Sequence, residues 1–195
     1  MKKNILILMA LLLVSMEPIS AQDTKQVPSE ESNTPEQLSR GEKKALQRQI
    51  DSISYHQAIE AINDTAYTLE ADQVVFKYGE MAFVSSNTNF VSVKGNHAVV
   101  QVAFNIPVAG PNGLGGVTVE GMVTSYKKET DKKGNVYVTM NVMGVGISAQ
   151  VTITLYADNN QASVVISPNF NSRRLTLNGR IVPARFSNVF KGRSL

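Results

Sequence analysis

The chain has 195 residues, no cysteine, no tryptophan and a formal net charge of +3 at neutral pH. Without cysteine there can be no disulfide, no thiolate metal ligand and no lipid-modified N-terminal cysteine, so stability must come from a packed core. The small charge excess is spread along the chain rather than striped, which argues for ordinary solubility over an anionic partner.

The opening MKKNILILMALLLVSMEPISAQ has the anatomy of a secretory signal. Lys2 and Lys3 supply the positive start, Ile5 to Met16 the short apolar run, and Ser20 and Ala21 the small residues before cleavage. An apolar run of about a dozen residues falls short of the roughly 20 that span a bilayer. Residues 1–21 are therefore expected to be a signal peptide, and the mature protein to be periplasmic or secreted, not a lipoprotein. No integral membrane segment is expected after cleavage. About 174 residues then follow, enough for one domain that buries about two thirds of its unfolded surface.

Residues 22–33, QDTKQVPSEESN, are polar and aperiodic and read as a disordered linker. A helix is predicted over residues 34–64, with Thr34 as cap, Pro35 in the first turn and Gln37 closing a capping box. Leu46, Ile50 and Ile53 mark one apolar face, whereas Tyr55, Ile59, Ile62 and Ala66 mark another. This change of face near Ile53 excludes a coiled-coil seam and predicts an amphipathic helix whose second half packs on the body. The segment from Gln22 to Thr65 carries five basic against eight acidic residues, and the remainder twelve against seven. An acidic leader thus precedes a mildly basic body. The triplets Asp51-Ser52-Ile53 and Asp64-Thr65-Ala66 resemble the short O-glycosylation pattern of exported Bacteroidetes proteins, making Ser52 and Thr65 candidate acceptors.

From residue 65 to 195 the period changes to two. In ISAQVTITLY, residues Ile147, Ala149, Val151, Ile153 and Leu155 share one face. The same alternation runs through HAVVQVAFNI, VTVEGMVTSY, NVYVTMNVM, QASVVIS and RLTLNGRIV, with shorter strands in AYTLEADQVVFKYG and NFVSVKG. Turn signals KGNH, TDKKGN, GVG and DNNQ separate them. Short connections permit only antiparallel neighbours, so the fold class is mainly β: a meander of eight or nine strands forming a barrel or a sandwich. Asn178-Gly179 has too little strand on either side for a hairpin and reads as a glycine bulge within a continuous strand.

GPNGLGGVTVEG, Gly110 to Gly121, has the glycine density of a phosphate cradle but lacks its context. An alternating strand follows it rather than a helix N-terminus, so it is expected to be a turn entering a strand. Reactive constellations are absent as well. The histidines, His56 and His97, have no cysteine or clustered acid beside them, so no metal site is expected. No serine elbow is present. Glu80 and Glu120 could serve glycoside chemistry only if the fold set them some 5–9 Å apart, and solvated faces are the ordinary fate of such acids. Phe170 beside Arg173, Arg174 and Arg180 is too sparse for nucleic-acid stacking, and no nucleic-acid partner is expected.

The segments AYTLEADQVVFKYG, SSNTNFVSVKGNHAVVQVAF, LGGVTVEGMVTSYKKETDKKGNV and SVVISPNFNSRRLTLNGRIVP together resemble, in order, a secreted Bacteroidetes family, domain of unknown function 4251. The resemblance spans Thr65 to Leu195. It implies an exported β-rich domain preceded by a helix, with no established activity, cofactor or partner and no catalytic residue to carry over.

Two functional readings follow. The leading one is a non-enzymatic structural or interaction module of the periplasm or cell surface, with a cell-envelope partner, no cofactor and no catalytic residue. The alternative is a carrier of a lipid or other apolar molecule inside the barrel or under the helix. Its candidate binding residues are Met81, Met122, Met140 and Met143, with Phe170, Arg173 and Arg174 at a strand entrance. An outer-membrane barrel fits the alternation but sits poorly with a long helix and a lack of tryptophan. A concealed enzyme is the remaining reading.

Overall fold

The computed structural model describes residues 39–104, 110–170 and 174–195; the signal, the linker and the Thr34–Gln37 cap lie outside them. Within the described residues the helix begins at Arg40. Ser39 is the N-cap: its Oγ accepts the Glu42 N–H at 3.3 Å, and the Glu42 carboxylate accepts the Ser39 N–H at 2.8 Å. This capping box starts α1, Arg40–Asn63. Thr65 takes a left-handed φ of 48°, turning the chain out of the helix.

Nine antiparallel strands follow: β1 Ala66–Val75, β2 Met81–Phe83, β3 Phe90–Lys94, β4 His97–Ala103, β5 Gly116–Thr130, β6 Val136–Met143, β7 Ser148–Leu155, β8 Gln161–Pro168 and β9 Leu175–Pro183. Their order is β2-β1-β3-β4-β5-β6-β7-β8-β9, and β1 pairs again with β9. Eight strands therefore close into a barrel, with β2 as an extra strand. Barrel, not sandwich, is the answer. The short β2 escapes a sequence reading because three residues, MAF, carry no period.

Closure depends on one irregularity. Ala71 pairs with Gly179 and Gln73 with Asn178, so Asp72 is an extra residue in β1. β9 is continuous, as expected, but the bulge sits on the strand opposite its glycine. A Cβ on Gly179 would lie 1.9 Å from the Glu70 carbonyl oxygen, so only glycine admits this approach. The same bulge divides the other edge of β1, where residues 66–70 pair with β3 and residues 73–75 with β2. β5 bends similarly at Ser125, φ 54°, within its register shift against β6.

The inward faces are aliphatic. Leu69, Val91, Val138, Met140, Val151, Ile153, Val164, Leu177 and Ile181 are fully buried in one cluster. An eight-stranded barrel is just wide enough for such side chains to fill. Ala58, Ala61 and Ile62 of α1 join this cluster, whereas Leu46, Ile50 and Ile53 are 46%, 47% and 58% exposed. The change of apolar face thus separates a docked half from a solvent-facing half. Docking is fixed by polar contacts at the same end of the barrel. The Tyr55 hydroxyl donates to the Gly134 carbonyl, Tyr126 Oη donates to the Ile62 carbonyl at 3.1 Å, and Lys128 donates to the Asn63 side-chain oxygen.

Beneath the helix end, Tyr67 is fully buried and its hydroxyl forms no hydrogen bond of normal geometry. Burial first, and then the neighbouring Tyr126, pushes its pKa well above the ordinary value. Burial raises Tyr126 and Tyr55 too, with Asp158 and Asp131 adding to the effect on Tyr55.

Gly179→Ala is expected to lower stability by at least about 2 kcal/mol in denaturant titration, because backbone rather than a flexible side chain must move. Tyr67→Phe should keep the fold and gain about 1 kcal/mol by removing an unmade hydrogen bond. Tyr55, Tyr67 and Tyr126 bind their protons more tightly folded than unfolded. Their contribution is complete below about pH 10 and is lost as pH rises further. Thermal melts should fall above pH 10, less steeply for Tyr67→Phe.

Candidate functional site

The two ends of the barrel differ. α1, with the β3–β4, β5–β6 and β7–β8 turns, occupies one. At the other, β4 ends at Ala103, β5 begins at Gly116, and the β1–β2, β6–β7 and β8–β9 connections gather. Here a cleft of about 650 Å³ opens above the core. Its floor is the top of the packed core: Val100, Val119, Ile147, Ala149 and Ile166. Its walls are Phe76, Val102, Phe104, Val117, Pro168, Phe170 and Leu175. The Phe76 and Phe104 rings lie 5.6 Å apart, tilted by 32°. Among the described lining residues no side chain is charged. Ser148 Oγ is the one side-chain hydrogen-bonding group among the described lining residues, and it accepts from Asn169 Nδ2 at 2.9 Å.

The methionines named from sequence do not meet. Met140 is fully buried in the core; Met122 and Met143 are cross-strand partners on the outer surface, 50% and 55% exposed; Met81 stands on β2, 66% exposed. None lines the cleft. Phe170 does, at 88% exposure. Arg174 is exposed at the entry to β9, and Arg173 lies outside the described residues. Phe76, Phe104, Val117 and Leu175 are lining residues that the sequence did not single out. Their signal was apolar character persisting to strand ends, where polar turns normally take over.

The Gly110–Gly121 stretch forms the turn Pro111-Asn112-Gly113 and the start of β5. Asn112 is buried, and its Oδ1 accepts the Leu114 and Gly116 N–H groups at 2.9 and 3.0 Å. Those amides therefore serve the turn itself. Glu80 lies in the β1–β2 turn, while Glu120 lies on the outer face of β5, tied to the C-terminal tail. Ser52 is exposed on α1, and Thr65 is half-buried at the helix–barrel junction. Among the described residues no three His, Asp or Glu side chains come together to hold a metal. Among them, too, no helix is long and apolar enough to cross a membrane.

That tail, residues 184–195, straps the outside of β1, β3, β4 and β5. Gln101, fully buried, is its anchor: Nε2 donates to the Phe190 and Thr88 carbonyls at 2.8 and 2.9 Å, and Oε1 accepts from Gly192 N–H and Thr118 Oγ1, both at 2.7 Å. Glu120 holds the strap through Lys191 at 2.5 Å and the Ser194 hydroxyl, and also lies 3.5 Å from His97 of β4. These contacts, the Lys191 and Ser194 hydrogen bonds foremost, keep its carboxyl below the ordinary carboxylate range. A second cleft of about 490 Å³, lined by Thr68, Ser92, Lys94, His97, Ser187 and Lys191 among others, lies between strap and sheet.

Because the Glu120 carboxyl is depressed in the folded state, its contribution is present above an ordinary carboxylate pKa of about 4.3 and is lost as pH falls through the depressed value. Protection against amide hydrogen exchange at Gly192, Arg193 and Leu195, measured relative to the intrinsic rate at each pH, should fall in that acid window. Glu120→Gln should show the lower protection already at pH 7. Unchanged protection in both cases would mean that Gln101 alone holds the strap.

Set beside known proteins, this barrel has relatives. A crystal structure at 1.95 Å of a DUF4251 family protein from Bacteroides eggerthii DSM 20697 is similar to it, with 50% identity and a TM-score of 0.64. The similarity covers 76% of this chain and all of that one. No curated protein matches the chain. Residues 49–181, from within α1 into β9, match the domain of unknown function DUF4251. The chain belongs to the DUF4251 family.

Proposed function

We propose that this protein is an exported binding protein that holds an apolar small molecule, or the chain of a larger lipid, in the open end of its barrel. The observation that carries the reading is the cleft of about 650 Å³, with no charged side chain among its described lining residues, facing away from the helix that fills the opposite end. Its volume lies within the roughly 300–1,000 Å³ of small-molecule sites, and apolar lining with one or two polar groups is their usual character. The lysine-led, apolar start of the chain and the small residues at Ser20 and Ala21 support export. An interaction module is the second reading, favoured by the exposed stripe Leu46, Ile50 and Ile53 on the solvent-facing half of α1.

The test uses cis-parinaric acid, a fluorescent fatty acid. The protein is expected to bind it with a saturable rise in emission. Val117→Trp should weaken binding at least tenfold with little change in melting temperature, because Val117 lines the cleft while remaining 41% exposed. Absence of saturable binding by the wild type, together with a ligand-free mass for protein from its own host, would overturn the carrier reading.

A further inference from the structure

The turns at the two ends of the barrel have opposite character. At the helix end Gly95-Asn96 and Lys132-Lys133-Gly134 form polar tips, and the β7–β8 turn has polar Asp158-Asn159-Asn160 after Ala157 and a Tyr156 that is 46% exposed. Around the cleft the described residues of the β1–β2, β6–β7 and β8–β9 connections instead raise bare apolar groups. Tyr78 in the β1–β2 turn is 83% exposed, Met81 after it 66%, Val145 in the β6–β7 turn 100%, and Phe170 after β8 88%. Turn tips of a water-soluble barrel gain nothing from such residues, and exposed apolar groups gathered at one end mark a contact surface. We infer that this end of the barrel docks onto a lipid bilayer surface, with the cleft mouth facing the membrane.

Two features favour a bilayer over a protein as the occupant. The apolar groups stand on separate tips around an open cleft, so a flat protein partner would bridge an unfilled hole. Lipid chains fill it, since they adapt to any outline and can enter the mouth. The charges suit a headgroup layer as well. Lys77 lies over the Tyr78 ring, 5.3 Å from its centroid, and Arg174 is exposed beside the Phe170 connection. Against these two cations the described mouth turns carry one acid, Glu80. Tyrosine and lysine together are the side chains that settle at a membrane interface, ring in the boundary and ammonium among phosphates. The inference rests on the cleft reading for its purpose, delivery or uptake of the bound molecule, but its geometry is independent of that reading.

Flotation with vesicles of phosphatidylethanolamine and phosphatidylglycerol, 3:1, is the test, run beside cis-parinaric acid binding in solution. The wild type is expected to float with the vesicles. Tyr78→Asp combined with Val145→Asp, two tips that do not line the cleft, should cut the vesicle-bound fraction at least tenfold and leave probe binding within twofold. Lys132→Asp with Lys133→Asp, at the opposite end, should float as the wild type does. Probe binding without flotation would overturn the docking and leave the carrier reading standing. Flotation without probe binding would overturn the carrier reading alone. A Tyr78→Asp, Val145→Asp protein that floats undiminished would overturn the docking through this face.

Discussion

Pairing of β1 with β9 is the contact on which the rest of the molecule depends. It converts a meander with two open edges into a closed wall, and it is available only because Asp72 bulges from β1 opposite Gly179. Closure removes the exposed edges that make sheets prone to association. It also forces the inward face of every strand into one cylinder of fixed width. The bulge has a second consequence. By breaking the run of β1 it lets one edge serve β3 and then β2, so the tenth residue of β1 is still paired when β3 has left.

Once the cylinder is closed, the two ends must be treated differently, since a core exposed at both would leave aliphatic surface in water. One end is covered by the second half of α1, whose Ala58, Ala61 and Ile62 complete the cluster while three tyrosine and lysine contacts fix its position. The other has no such cover among the described residues, and its aliphatic face continues upward into the cleft walls and the turn tips. The apolar gradient along the barrel axis is the structural basis for reading this end as the place where another molecule makes contact.

The outer face carries an interaction of a different kind. Outward positions of β4 and β5 should be solvated, yet Gln101 and Thr118 are fully buried because the C-terminal strap covers them. Burial of these polar groups is tolerable because each is hydrogen-bonded: Gln101 uses both ends of its amide, and Thr118 donates to it. The strap therefore has a defined path without an apolar stripe of its own. Its last residue reaches β5, where the Leu195 N–H donates to the Thr118 carbonyl at 3.1 Å.

Much of the fold was legible in the sequence. Two-residue alternation in segments such as ISAQVTITLY fixes which side chains face inward, and the short polar turns between them fix antiparallel order, because both are local properties of the chain. The change of apolar face at Ile53, the turn at Pro111-Asn112-Gly113 and the continuity of β9 are local in the same sense. What the tertiary structure alone decided is everything that depends on where distant segments meet. Alternation gives a residue's side of the sheet but not its height along the barrel, so Met140 became core, Met122 and Met143 outer surface, and Phe76, Phe104 and Val117 walls of one cleft. The β1–β9 closure, the strap held by Gln101 and the difference between a filled end and an open one join residues scores of positions apart. No period in the sequence encodes such distances, because they are set by strand pairing and packing in three dimensions.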